Sequence, residues 1–231
     1  MNLLAFDTST EYLSLALMKG DVSYVFDVKA GQSHSQLILP QIQGLLAQAD
    51  LQLSDLHGLA FGAGPGSFTG VRIAAGVAQG LGLGANLPVQ GVCTLLALAQ
   101  ASGASKVIAC LDARMGEVYH AAYEKVGAAW QTEAEPTVCK PDAVPAVVGN
   151  DWTGAGSGWQ SYGPALGAVY AGQLGHTQPQ CLPSAMAILA LAQADFANGL
   201  AMPAGTALPI YIRNRVALKT AEREQGLQLT C

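Results

Sequence analysis

Apolar residues open the chain in short runs broken by polar turns: Asn2–Phe6, then Asp7-Thr8-Ser9-Thr10, Tyr12–Met18, Lys19-Gly20-Asp21 and Val22–Val28. Runs of this length between turn formers predict three successive strands, and so an antiparallel meander. The period then changes. Ile38, Ile42, Leu45, Leu46 and Ala49 recur on one face of a helix over 35–49, which Ser33 or Ser35 can cap. Pro40 falls in its first turns, where a missing N–H costs least. Leu56–Phe61 predicts a buried strand, followed by a glycine loop, a helix over 68–83, a strand Leu87–Val92 and a helix Thr94–Ala101.

The segment Gly62–Gly84, GAGPGSFTGVRIAAGVAQGLGLG, is unusual because its helix is studded with glycine. Each interior glycine costs a helix about 0.8–1 kcal/mol relative to alanine. Gly70, Ala74, Ala78 and Gly82 recur every fourth residue, and Gly76, Gly80 and Gly84 make a second row beside them. Rows at that spacing are packing ridges, and bare ones admit another backbone closely. Arg72 and Gln79 interrupt the apolar run, which is too short to span a bilayer. The expectation is a soluble helix built for close contact, with its own sheet or with another subunit.

The second half echoes the first. Lys106–Leu111, the turn Asp112-Ala113-Arg114-Met115-Gly116 and Glu117–Tyr123 repeat the opening pattern, with Asp112 lying 105 residues after Asp7. Beyond this, 142–148 reads as a short helix or strand and 152–158 as a glycine-rich turn. Pro183–Ala197 reads as a helix closed by Asn198-Gly199. Ile210–Ile212 is a last apolar run before a basic, polar tail. The expected organisation is α/β, with halves 1–102 and 103–231 and a helix over 183–198 that can pack back on the first half.

Charged residues make up only 12% of the chain, so some apolar surface is expected to be covered by a partner. A net charge of −5 argues against a free-standing nucleic-acid binder, because phosphate contacts need clustered cations. Only Arg213, Arg215, Lys219 and Arg223 look clustered. Cys93, Cys110, Cys139, Cys181 and Cys231 are odd in number and widely spaced, which suggests neither a disulfide framework nor a zinc site. No positive n-region precedes the first apolar run, so a cytoplasmic protein is expected.

Candidate chemistry is sparse. Gly64-Pro65-Gly66-Ser67-Phe68-Thr69-Gly70 has the spacing G-x-G-x-x-x-G, and Pro65 removes one amide that could cradle phosphate, which favours a structural loop over a dinucleotide site. No Gly-Lys-Ser/Thr follows, which excludes a Walker loop. Asp7-Thr8-Ser9-Thr10 is similar to the first phosphate-binding turn of actin-like ATPases and sugar kinases, with Thr8 where those proteins prefer glycine. Asp7, Thr8 and Ser9 are therefore the only weak candidates for nucleotide binding, and no cofactor is expected. His34, His57, His120 and His176 include no i,i+3 or i,i+4 pair, so no metal centre is expected. Ser67 does not sit in a G-x-S-x-G elbow, which argues against a peptidase.

FDTST, HSQLILPQIQGLL, GPGSFTGVRIAAGVAQGLGLG, LDARMGEVYHAAYE and PIYIRNRVALK together resemble the TsaB (YeaZ) family along nearly the whole chain. The resemblance implies the actin-like ATPase (ASKHA) fold, with two RNase-H-like subdomains, each a mixed sheet flanked by helices. It also implies a non-catalytic subunit that pairs with TsaD, joined by the ATPase TsaE, for threonylcarbamoyl transfer to the adenosine beside the anticodon of ANN-decoding tRNAs. Contact with tRNA would come through the complex, and a homodimer would form when TsaD is missing. TsaD carries a His-x-x-x-His metal pair, and the matching positions here are Gly91 and Leu95. The family pairs through its first two helices, which would place His34, Ile38, Ile42, Leu45, Gly70, Ala74, Ala78 and Gly82 at the partner contact.

Overall fold

A computed structural model describes residues 1–213. β1 (Asn2–Asp7), β2 (Tyr12–Lys19) and β3 (Val22–Lys29) form the meander. β1 and most of β2 are covered on both faces and so read as apolar runs. β3, at the edge, alternates: Tyr24, Phe26 and Val28 pack inward while Ser23, Val25 and Asp27 face out. α1 (His34–Gln48) starts one residue before the expected helix, and Ser33 at its N-cap makes no side-chain capping bond. β4 (Gly58–Gly64), α2 (Phe68–Ala85) and β5 (Val89–Cys93) complete the first sheet, ordered β3-β2-β1-β4-β5, with β1, β4 and β5 parallel.

After α3 (Thr94–Ser102), the strands β6 (Lys106–Arg114), β7 (Glu117–Val126) and β8 (Ala129–Cys139) make a second meander. β9 (Trp152–Ala155), α4 (Ser157–Val169) and β10 (Leu174–Gln178) then add a parallel pair. The order β10-β9-β6-β7-β8 is that of the first sheet, so the Asp7/Asp112 echo extends to the whole topology. Two mixed sheets flanked by helices are the actin-like, RNase-H-like arrangement.

β8, α4 and β10 depart from the sequence expectation, as does the irregular 140–151 segment where a short element was read. β8 is a polar edge strand containing Pro136, which an edge tolerates. α4 opens inside the segment read as a glycine-rich turn and is kinked at Tyr162, just before Pro164. Val144 and Val147 are buried against the second core although 140–151 has no helix or strand of its own.

Four packed layers of side chains join these parts. α1 and α2 cover one face of the first sheet around Phe6, Leu15, Leu17 and Phe61. α5 (Ala185–Ala197) covers the other, setting Ala185, Ile188 and Leu189 on Leu3, Ala5 and Ala60. In the second sheet α4 packs Trp159 and Leu166 on Ile108 and Cys110, while α3 packs Leu95 and Leu98 on Val107, Ala109 and Ala121. Each half's last helix thus lies on the other half's sheet, and α3 and α5 also touch.

The chain then returns across the first half. The Val89 and Met202 backbones pair at 2.7 and 2.8 Å, and the Ile210 amide donates to the Ala63 carbonyl at 2.7 Å. Arg213, expected in a basic tail, forms a part-buried ion pair with Glu117. Arg215, Lys219, Arg223 and Cys231 lie outside the described residues.

Candidate functional site

The Asp7–Ser9 turn sits against the loop that starts α2. Asp7 Oδ1 accepts the Ser9 amide at 2.9 Å and the Ser9 hydroxyl at 2.7 Å, while Oδ2 is buried with no hydrogen-bond partner among the described residues. Burial pushes the Asp7 carboxyl up to about 6, against the lowering influence of the Ser9 hydrogen bonds and of His34. A Cβ at Gly62 would lie 1.8 Å from Oδ2, so this position must be glycine for the aspartate to fit.

The same turn is closed by glycine contacts. The Thr8 hydroxyl donates to the Gly70 carbonyl at 2.7 Å, and a Gly70 Cβ would lie 1.8 Å from the Thr8 carbonyl. The Ser67 amide donates to the Ser9 carbonyl at 2.7 Å, and a Gly66 Cβ would lie 2.6 Å from that oxygen. The amides of Ser9, Ser67 and Gly70 are taken, the last by the Ser67 hydroxyl, and Pro65 has none. None of these donors is left to hold a phosphate. The glycine loop is a turn that launches α2, with Ser67 as its N-cap.

The matching turn of the second half is built differently. Asp112 Oδ1 accepts the Arg114 amide at 2.8 Å and Oδ2 accepts the Ser161 hydroxyl at 3.2 Å. Arg114 and Met115 follow with φ of 63° and 56°, a left-handed pair at an exposed tip.

The residues assigned to a partner contact turn out to lie inside the chain, which corrects that assignment. Ile38, Ile42 and Leu45 are buried in the first core, and His34 is buried with Nε2 3.2 Å from the Tyr12 carbonyl oxygen. Gly70, Ala74, Ala78 and Gly82 form the inward ridge of α2. Gly82 is pressed on Ala204, where a Cβ would come within 2.6 Å of the Ala204 Cβ. The close approach that these glycines allow is to the protein's own Thr8 and Ala204. The second row faces out instead: Gly76, Gly80 and Gly84 are exposed, and a Cβ at any of them meets nothing within 4 Å.

Large side chains flank this bare row. Phe68 is 58% exposed at one end of α2 and Leu83 68% exposed at the other, and Leu39 of α1 is also exposed. The Arg72 guanidinium stacks 3.2 Å from the centre of the Phe68 ring. The signal for this face was Arg72 itself, one turn before Gly76 in the same ridge.

Neither residue where the resemblance would place a metal pair can ligate a metal through its side chain. Gly91 is exposed, with the Phe61 ring 3.2 Å and the Ala63 Cβ 3.3 Å from where its Cβ would be, and Leu95 is buried between α3 and the second sheet. Among the described residues no three His, Cys, Asp or Glu side chains gather into a metal site. No serine or cysteine side chain hydrogen-bonds a histidine among them either, and no helix is long and apolar enough to cross a membrane.

Comparison with known proteins gives consistent results. The family model described as TsaD, tRNA N6-adenosine threonylcarbamoyltransferase, matches residues 26–152. The chain is 42% identical over 228 residues to "tRNA threonylcarbamoyladenosine biosynthesis protein TsaB" of Escherichia coli K12, covering 95% of this chain and 97% of that protein. The protein of the same name from Haemophilus influenzae is 38% identical, with 95% and 96% covered. The solved structure of YeaZ from Pseudomonas aeruginosa superposes with a TM-score of 0.85 at 38% identity, covering 91% of this chain and 99% of that one.

Proposed function

Because the chain belongs to the TsaB (YeaZ) family, we propose that it serves tRNA threonylcarbamoyladenosine biosynthesis as a subunit without a catalytic centre of its own. In this reading it pairs with TsaD, which transfers the threonylcarbamoyl group to the adenosine beside the anticodon of ANN-decoding tRNAs. TsaE joins the pair, tRNA is met through the assembly, and a second copy takes the same face when TsaD is absent. The setting is the cytoplasm, and no cofactor is required.

The outward face of α2 carries this reading. Interior glycines weaken a helix, and Gly76, Gly80 and Gly84 meet nothing among the described residues that would explain them. A partner helix whose backbone comes close supplies the missing reason, with Phe68 and Leu83 as apolar flanks. The lack of an imidazole at Gly91 and Leu95 supports the absence of a catalytic metal, and the occupied amides around Asp7, Thr8 and Ser9 argue against an ATPase.

Gly80→Leu tests the pairing. The variant is expected to fold and to lose co-purification with TsaD, because overpacking a close helix contact costs about 1–3 kcal/mol. Undiminished pairing and undiminished tRNA modification by the reconstituted proteins would place the contact elsewhere.

A further inference from the structure

Residues 207–213 cross from the first sheet to the second and are tied at both ends. On the first side, Gln79 Nε2 donates to the Ala207 carbonyl at 2.7 Å and the Ile210 amide donates to the Ala63 carbonyl, at the end of β4. The Tyr211 ring centre lies 4.9 Å from the Arg72 guanidinium. On the second side, Arg213 donates to the Ala113 carbonyl at 3.3 Å and ion-pairs with Glu117, so it grips both flanks of the β6–β7 turn.

The ion pair is an unusual choice for a simple cover. Its side chains are only 13% and 7% exposed, and the buried Arg213 Nε has no hydrogen-bond partner among the described residues. A buried pair adds little over apolar packing of the same shape, yet either charge left alone is strongly unfavourable. Such a pair therefore enforces one arrangement more than it adds stability. The halves also meet where α3 and α5 pack on each other, largely through apolar side chains, the kind of contact along which helices slide, with polar contacts such as Trp130 Nε1 donating to Gln100 Oε1 at 2.8 Å beside them.

We propose that residues 207–213 form a clasp that fixes the orientation of the two halves, with the Glu117–Arg213 pair as its catch. Tension between the anchors is its signature: releasing one end loosens the structure at the other.

Hydrogen–deuterium exchange on the full chain, read peptide by peptide, tests this. Ile210→Pro removes the donor to Ala63 and is expected to raise exchange across 111–118 at least tenfold. Glu117→Gln combined with Arg213→Met removes the catch without leaving a lone buried charge, and is expected to raise exchange across 61–66 by a similar factor. Peptides from β2 and β8 keep their protection in both. If each variant loosens only the segment it touches, the strap is two independent contacts and the clasp is wrong. If all segments loosen alike, the strap supports overall stability without orienting the halves, and the proposal fails equally.

Discussion

Thr8 and Gly70, 62 positions apart, interlock at the junction of the first turn and α2: the Thr8 hydroxyl donates to the Gly70 carbonyl at 2.7 Å while the Thr8 carbonyl occupies the space of a Gly70 Cβ. A turn that resembles a phosphate loop is thus used as a socket for a helix. The glycine is required by packing inside the chain, and the threonine, where a nucleotide-binding relative prefers glycine, supplies the hydroxyl that fixes the helix end.

Gly70→Ala is therefore expected to destabilise the chain by about 3 kcal/mol, because a methyl 1.8 Å from a backbone oxygen has no flexible neighbour to displace. Chemical unfolding of the variant measures it. A loss below about 1 kcal/mol would mean that the helix end shifts freely on the turn.

The two ridges of α2 separate cleanly by mutation. Ala78 is wholly buried in the first core, so Ala78→Leu is expected to cost the isolated chain about 1–3 kcal/mol with no partner involved. Gly76→Ala and Gly80→Ala, on the open row, are each expected to add about 0.8–1 kcal/mol through helix propensity. Thermal melts of the isolated chain decide between them, since opposite signs are required. The same sign for both would merge the ridges into one environment.

Much of this architecture could be read from the chain. β3 could be read as an apolar run between turn formers, α5 by a proline before it and Asn198-Gly199 after it, and the repeat by Asp7 and Asp112. What escaped depends on distant residues. The direction of α2 is set by Thr8 and Ala204 meeting Gly70 and Gly82, which no local pattern encodes, although Arg72 marked the outward row. α4 was hidden by Gly156, Gly163 and Pro164, and tertiary packing of Trp159 and Leu166 overrides those weak local preferences. Arg213 read as tail charge because its partner, Glu117, lies 96 residues earlier.

Asp7 makes stability depend on pH in a defined direction. Its folded carboxyl titrates near 6 against an ordinary 3.8, so the folded state holds that proton more tightly. The stability it contributes is fully present below about 4 and is lost as pH rises through 6, a difference of about 3 kcal/mol. Asp7→Asn keeps an acceptor for Ser9 without the charge. It should exceed the parent in stability at pH 7.5 and lose that advantage at pH 4, by urea unfolding at both values. An equal difference at the two pH values would mean that the buried charge carries no penalty.

His120 acts in the opposite sense in the other half. It is buried in β7, and burial lowers its pKa from 6.5 to about 4. The Tyr170 hydroxyl donates to the Pro145 carbonyl at 2.7 Å, so the His120 Nε2–H donates to the Tyr170 oxygen at 2.7 Å and the ring is held neutral. The unfolded chain takes up a proton below 6.5 and the folded chain only below about 4. Stability from this group is therefore full above 6.5 and is lost as pH falls through 4. Between about 4 and 6 the His120 contribution rises with pH while that of Asp7 falls, and both differences amount to about 3 kcal/mol. The contributions of these two groups should nearly cancel there, and single variants should expose them. Asp7→Asn is expected to shift the slope of stability against pH upward relative to the parent, His120→Gln to shift it downward, and the double variant to restore the parent's slope. Urea unfolding at intervals across that window reads all four slopes, and single variants parallel to the parent would remove both groups from the pH response.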